Sequence, residues 1–317
     1  MVCQMTLEVI EKVSQQIQEG LYHGASLALF RCGGWQEHYI GTLDGQRPVT
    51  KGLVYDLASV SKVVGVATVC IAMINSGALA LDTPLRHYYP DAQKLEVTLR
   101  QLLTHTSGLD PYIPNRDQLN AQQLRAAMHQ LQVKDDKTFH YTDVNFLLLG
   151  FMLEHLHGKS LDELFQEMVF TPFGMTETSF GPRPEAVPTV KGVLDGEVHD
   201  PKAKVLGNHA GSAGLFSTIR DLERFIEHYL KESFSDRLFQ SYSRQEKPRS
   251  LGWSLEGDWI SHTGYTGPFI MLNKKEQQAA IFLTNRTYDK DDRALWIKER
   301  RQLRDAIHRT FDRNSPR

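Results

Sequence analysis

The chain has 317 residues, enough for one large domain or two closely packed ones. Hydrophobic residues make up 41% and charged residues 23%, ordinary for a soluble globular protein. Lys and Arg number 36 against 38 Asp and Glu, a formal charge of −2, which leaves no electrostatic case for binding nucleic acid or an anionic membrane.

Residues 6–19 carry apolar side chains at helical spacing. They lack the basic segment and unbroken apolar core of a secretory signal. No apolar run reaches the roughly 20 residues of a membrane span. The three cysteines, Cys3, Cys32 and Cys70, cannot form a disulfide framework and read as reduced thiols. The chain as given is therefore expected to be cytoplasmic, or extracytoplasmic if a leader was removed. Residues 25–30 and 35–41 read as strands around the turn Arg31-Cys32-Gly33-Gly34. Residues 60–74 (VSKVVGVATVCIAMI) are apolar around the whole circumference of a helix, the pattern of a buried helix, and Asn75-Ser76-Gly77 stops it. Leu81-Asp82-Thr83-Pro84 is a turn into a short helix. From there to about residue 245 the pattern is mainly helical, with candidates at 146–156 and 161–169. A further helix runs to Leu230, capped by Ser217 or Thr218. Strand-like alternation returns at 251–255, 259–263, 269–273 and 278–284. Residues 293–311 close the chain as an amphipathic helix with Trp296, Leu303, Ile307 and Phe311 on one face. Strands at both ends with helices between predict one sheet built by the two termini (1–75 and 246–317) and an inserted helical domain (76–245). The sequence shows no internal repeat and no low-complexity segment.

The chemistry is expected at the start of the buried helix. Ser59 and Lys62 are three residues apart and share one helical face. A lysine so placed can take a proton from the serine oxygen if burial keeps it partly neutral. Ser59 would also meet the free N–H groups and the dipole of the helix N-terminus. A lone S-x-x-K arises by chance about once in a chain of this composition, so other segments must support it.

Three segments do. Leu102-Leu103-Thr104-His105-Thr106-Ser107-Gly108-Leu109 resembles the LLTHTSGL segment of the serine β-lactamase and penicillin-binding protein family, in its class C-like branch. Tyr141-Thr142-Asp143 resembles that family's Y-x-N motif. His262-Thr263-Gly264 resembles its K-T-G or H-T-G motif. Weaker similarities run along almost the whole chain, among them Pro172-Phe173-Gly174-Met175-Thr176 and Ala210-Gly211-Ser212-Ala213-Gly214-Leu215-Phe216-Ser217-Thr218. The resemblance implies an α+β, β-lactamase/DD-peptidase-like fold: an antiparallel sheet flanked by terminal helices, with a mainly helical domain inserted and the active site at the junction. It implies Ser59 as the acylated nucleophile, Lys62 as its proton partner and Tyr141 as a shuttle to the leaving group. The backbone N–H groups of Ser59 and Tyr265 would form the oxyanion hole. Asp143, His262, Thr263 and Gly264 would bind substrate. Whether Lys62 or Tyr141 takes the first proton stays open.

Two positions depart from the commonest family pattern. Asp143 stands where asparagine is more frequent, and an ionised carboxylate accepts hydrogen bonds but cannot donate them. It could instead hold Lys62 charged. His262 replaces a lysine, so its hold on a substrate carboxylate would depend on pH. His105 reads as a structural loop residue. The spacing of His199, Asp200 and His209 fits no standard zinc pattern, and neither metal nor organic cofactor is expected. The expected activity is a serine acyl hydrolase acting on a small ester, a D-amino-acid amide or peptide, or a β-lactam, tilted toward esterase or peptidase. The alternative is a catalytically silent binding or sensor protein that keeps the fold.

Overall fold

A computed structural model describes residues 6–312; Cys3 lies outside them. Helix Leu7–Gln18 opens the described chain. Strands β1 (Gly24–Arg31) and β2 (Gly34–Gly41) form a hairpin. Its two-residue turn, Cys32-Gly33, has φ of 53° and 79°, the left-handed pair whose twist matches that of the flanking strands. Strand β3 (Tyr55–Asp56) follows, then the helix that begins near Ser59. Two short strands, β4 (Ser179–Phe180) and β5 (Leu215–Ser217), lie within the mainly helical middle. Strands β6 (Ser254–Glu256), β7 (Trp259–Thr263), β8 (Phe269–Asn273) and β9 (Gln278–Thr284) precede the closing helix Arg293–Asp312.

The main sheet is antiparallel, in the order β2-β1-β9-β8-β7-β6, so both ends of the chain supply it. Alternation sorts its side chains onto two faces. Leu27, Leu29, Phe269, Met271, Ala280 and Phe282 pack against Val9 and Val13 of the first helix and Trp296, Leu303 and Ile307 of the last. Ala28, Phe30, Ile270, Leu272, Ile281 and Leu283 belong to the larger core, with Leu222, Phe225 and Ile226 of helix Ile219–Lys231. Each fully buried Leu, Ile or Phe contributes about 1.5–3 kcal/mol relative to exposure, which makes this two-sided burial the main support of the sheet.

A smaller sheet, in the order β3-β5-β4, sits beside the start of the buried helix. That helix is not uniform. Ala58–Val60 is a 3₁₀ turn, Val63–Ala67 a π-helical turn, and only Thr68–Asn75 is α-helical. The Thr68 hydroxyl donates to the Val63 carbonyl at 2.7 Å, spanning the wider turn. The stretch Ala58–Asn75 is apolar and long enough by composition to cross a membrane, with mean hydropathy 1.6. However, 72% of it is buried inside the protein, so it is a core helix. It packs against helix Val144–His157, which is also apolar on nearly every side.

The expected strand at 251–255 is shorter than its pattern suggests. Leu251, Gly252 and Trp253 are buried as a loop, and pairing begins at Ser254. A Cβ on Gly252 would stand 2.8 Å from the Ala67 Cβ, and the Gly252 N–H donates to the Leu103 carbonyl. Tight docking on the core thus replaces a ladder partner. The expected helix at 161–169 is α-helical over Leu161–Phe165 and π-helical over Gln166–Phe170.

Candidate active site

Ser59 sits in the 3₁₀ turn, directly after a left-handed Ala58 (φ 46°). An alanine there is strained, by roughly 1–3 kcal/mol, so the surrounding structure must impose the turn. One turn on, Lys62 is fully buried. Its Nζ donates to Ser59 Oγ at 2.9 Å, to Asp143 Oδ1 at 2.8 Å and to the Ser212 carbonyl at 2.8 Å. An ammonium has three N–H donors, and here all three have an acceptor. Burial alone would lower the lysine's pKa. The Asp143 carboxylate and Tyr141 outweigh burial, and the pKa lies above its ordinary value. Lys62 is therefore a resting ammonium, the alternative in which Asp143 holds it charged.

Asp143 lies at the N-terminus of helix Val144–His157 but forms no side-chain cap. Its second oxygen meets Lys202 Nζ at 3.0 Å. Burial pushes its pKa up, and the two lysines overcome that and hold it well below the carboxylate range. The residue that departs from the family's asparagine thus bridges two cations.

Tyr141 is exposed at 40%, its ring centroid 5.2 Å from Lys62 Nζ. His105 fixes it from behind: the two rings lie 4.4 Å apart. His105 Nδ1 pairs with Asn145 Nδ2 at 2.9 Å, and Asn145 Oδ1 accepts from the Ser107 hydroxyl at 2.7 Å. The Thr104–Ser107 segment is architectural, as expected, and it orients the Tyr141–Asp143 segment.

Strand β7 brings His262 and Thr263 alongside the nucleophile turn. At Gly264 a Cβ would lie 2.7 Å from the Leu57 carbonyl oxygen and 3.2 Å from the Ala58 Cβ, so only glycine lets the strand end this close to Ser59. Ser59, Tyr141, Asp143 and Tyr265 line one cavity of about 480 Å³, together with Ala58, His199, Lys202, Ala213 and Arg293. The two residues expected to supply the oxyanion N–H groups therefore face the same space. Tyr265 is held by Arg286, whose Nε donates to the Tyr265 carbonyl at 2.8 Å and whose guanidinium lies 4.8 Å from the ring centroid.

His262 does not fit the expectation of a pH-dependent cation. It is buried, with Nδ1 3.1 Å from the Thr263 carbonyl oxygen, and it lies outside the residues lining the cavity. Burial, reinforced by Lys62 and Arg249, holds its pKa well below 6.5. It is neutral at working pH. The ratio of kcat/KM for a carboxylate-bearing substrate to that for a neutral ester is therefore expected to stay flat from about pH 6 to 8 in any contribution from His262. A threefold or larger fall across that range that His262→Gln removes would restore the ionisable anchor.

Three cations were not singled out from the sequence. Lys202 and Arg293 line the cavity. Arg249 is 3% exposed, and its Nε and Nη2 have no hydrogen-bond partner among the described residues. It is electrostatically linked to Tyr141, and burial lowers its pKa to about 10. Among the described residues no group of three or more His, Cys, Asp or Glu side chains is placed to hold a metal.

The beta-lactamase family model matches residues 9–304. The chain belongs to the beta-lactamase family. It is 26% identical to a putative D-alanyl-D-alanine carboxypeptidase of Escherichia coli (strain K12), over 87% of this chain and 81% of that protein. In fold it matches a beta-lactamase/D-alanine carboxypeptidase from Pseudomonas syringae with a TM-score of 0.79, at 20% identity and over 98% and 99% of the two chains. It also matches EstCE1, a hydrolase with promiscuous acyltransferase activity, with a TM-score of 0.75, at 19% identity and over 96% and 98%. This member of the beta-lactamase family is a serine hydrolase with the β-lactamase/DD-peptidase fold.

Proposed function

We propose that the enzyme hydrolyses a small amide or ester that ends in a carboxylate, of the D-alanyl-D-alanine peptide type, through an acyl-enzyme at Ser59. The observation that carries the mechanism is the Lys62 ammonium held 2.9 Å from Ser59 Oγ. With all three N–H groups engaged, Lys62 polarises Ser59 and stabilises negative charge beside it. Tyr141, reacting as a phenolate beside that ammonium, takes the Ser59 proton as Oγ bonds to the substrate carbonyl carbon. It returns that proton to the leaving nitrogen or oxygen as the scissile bond breaks. The N–H groups of Ser59 and Tyr265 stabilise the oxyanion, each donor being worth about 10²–10³ in rate. Water then releases the acyl group by the same route in reverse. Lys202 supplies beside Asp143 a donor for a substrate carbonyl, which the carboxylate cannot.

Arg249 does not line the cavity but lies behind its Tyr141 wall, electrostatically linked to Tyr141 and His262, and its charge supports the carboxylate reading. A buried guanidinium with two unpartnered nitrogens is costly on its own and complementary to an incoming anion. The exposed Arg293 lines the cavity and gives the site a cationic end. The E. coli relative's description as a putative D-alanyl-D-alanine carboxypeptidase agrees with this chemistry. Arg249→Met is expected to raise KM for a D-Ala-D-Ala-terminated peptide on the order of 10-fold to 10²-fold. Its effect on p-nitrophenyl acetate should be less than about threefold, since that ester brings no carboxylate. Equal effects on both substrates, or none on the peptide, would contradict the reading. Folding should survive, because the change removes a charge that lacks an ionic partner.

A further inference from the structure

Asp56 is a buried carboxylate that the mechanism above does not use. It is 2% exposed and lies on β3, three residues before Ser59. Its Oδ1 accepts the Ala58 N–H at 2.8 Å, and its Oδ2 accepts the His199 N–H at 2.8 Å. Its backbone carbonyl accepts the Thr266 hydroxyl at 3.2 Å. One residue thus ties together three separate walls of the site.

Each tie lands next to a reacting group. Ala58 is the left-handed residue immediately before Ser59. A carboxylate oxygen two residues earlier holds that strained turn in place, which nothing in alanine's own preferences would do. His199 lines the cavity and stacks on Tyr265, with ring centroids 5.7 Å apart. Thr266 follows Tyr265, the second expected oxyanion donor. Asp200, next to His199, caps helix Pro201–Leu206 by accepting the Ala203 N–H at 2.8 Å, and that helix carries Lys202 to Asp143.

We propose that Asp56 is a positioning residue for acylation, whose carboxylate sets the nucleophile turn at Ala58 and the His199–Tyr265 wall in register. The role requires both oxygens as acceptors. A protonated carboxyl, or an amide, turns one acceptor into a donor facing an N–H, so one of the two ties is lost. Positioning errors of about 1 Å can cost on the order of 10² in rate, so the loss should appear in kcat more than in KM.

Titration offers a direct reading. Burial pushes the Asp56 carboxyl up to about 6, against the two N–H donors, and Asp200 adds to the rise. The other charged neighbours are reached through His199, which faces Asp291, Arg286 and Asp200. Because the folded pKa lies above the ordinary 3.8, this group stabilises the fold fully below about 3.8, and the contribution is lost as pH rises through about 6. Activity should move the other way. As pH falls through about 6, acylation weakens while the Asp56 contribution to stability grows.

The inference rests on Ser59 as the nucleophile, and the experiment separates the two. A fluorophosphonate probe is first mapped on the unmodified protein; an adduct elsewhere than Ser59 ends the mechanistic reading itself. With the adduct on Ser59, kcat and KM for p-nitrophenyl acetate are measured from about pH 5 to 8 for the unmodified protein and Asp56→Asn, alongside melting temperatures. The expected result is an acid limb in kcat near pH 6 in the unmodified protein. Asp56→Asn should lose on the order of 10²-fold in kcat at pH 7.5, with KM within about threefold and no limb near 6. A variant within threefold of normal kcat, or one that keeps the limb, overturns the proposal. Should Asp56→Asn not fold, the unmodified protein decides alone. A fall in kcat below pH 6 without a fall in melting temperature supports the role, and a flat kcat refutes it.

Discussion

Ser59→Ala is expected to lower turnover of any ester or peptide substrate on the order of 10⁴-fold or more, with the melting temperature nearly unchanged. The hydroxyl accepts one of Lys62's three donor bonds, at 2.9 Å, while Asp143 and the Ser212 carbonyl keep the other two. The ammonium therefore stays anchored when the oxygen is removed. Ala58 keeps its bond to Asp56, so the turn is retained. What is lost is the covalent intermediate, and the residual rate should reflect only oxyanion stabilisation and binding. Stopped-assay kinetics with circular dichroism melts would check both halves. A variant with more than about a hundredth of the normal rate would place the nucleophile elsewhere.

Lys62→Met and Tyr141→Phe should each slow acylation on the order of 10²–10³-fold, and the double variant should be little slower than the worse single one. The reason is the shared relay. The Tyr141 ring lies 5.2 Å from Lys62 Nζ, and the ammonium stabilises charge on whichever oxygen gives up its proton. With the cation gone, a phenol oxygen gains little as proton acceptor; with the phenol oxygen gone, the cation has no base to serve. Losses that multiply fully in the double variant would mean two independent contributions. Lys62→Met preserves the buried stem, and Asp143 keeps Lys202 as partner, so the variant should remain folded.

Features that depend on neighbours in the chain were legible in the sequence. Ser59 and Lys62 needed only helical spacing. The β1–β2 hairpin needed only two strand-like runs around Arg31-Cys32-Gly33-Gly34, and the helix through Leu230 needed Thr218, whose hydroxyl does cap it by accepting the Asp221 N–H. The terminal strands at 259–263, 269–273 and 278–284 agree residue for residue, because each is a short run bounded by turn residues and is buried at nearly every position.

Features set by distant packing were not. β3, β4 and β5 have two or three residues each, too few for a period to show. The π-helical turn at Val63–Ala67 is spanned by a Thr68 bond that spacing does not announce. Asp143 reads as a departure from Y-x-N, but its second lysine comes from a helix beginning at Pro201. Arg249 stands in Gln245-Glu246-Lys247-Pro248-Arg249-Ser250, which reads as a solvated loop, yet Arg249 and Ser250 are buried. His262 shows the same limit in reverse. The motif gave its place on the strand, while its charge was decided by burial and by the cations Lys62 and Arg249.

The mechanism stands or falls on the acyl-enzyme at Ser59. It is tested most directly by intact-mass measurement and peptide mapping after treatment with a fluorophosphonate probe. One adduct per chain is expected, on the peptide containing Ser59, at a rate that Lys62→Met lowers. An adduct on Ser61 or Ser107, or no adduct on the folded protein, would contradict it.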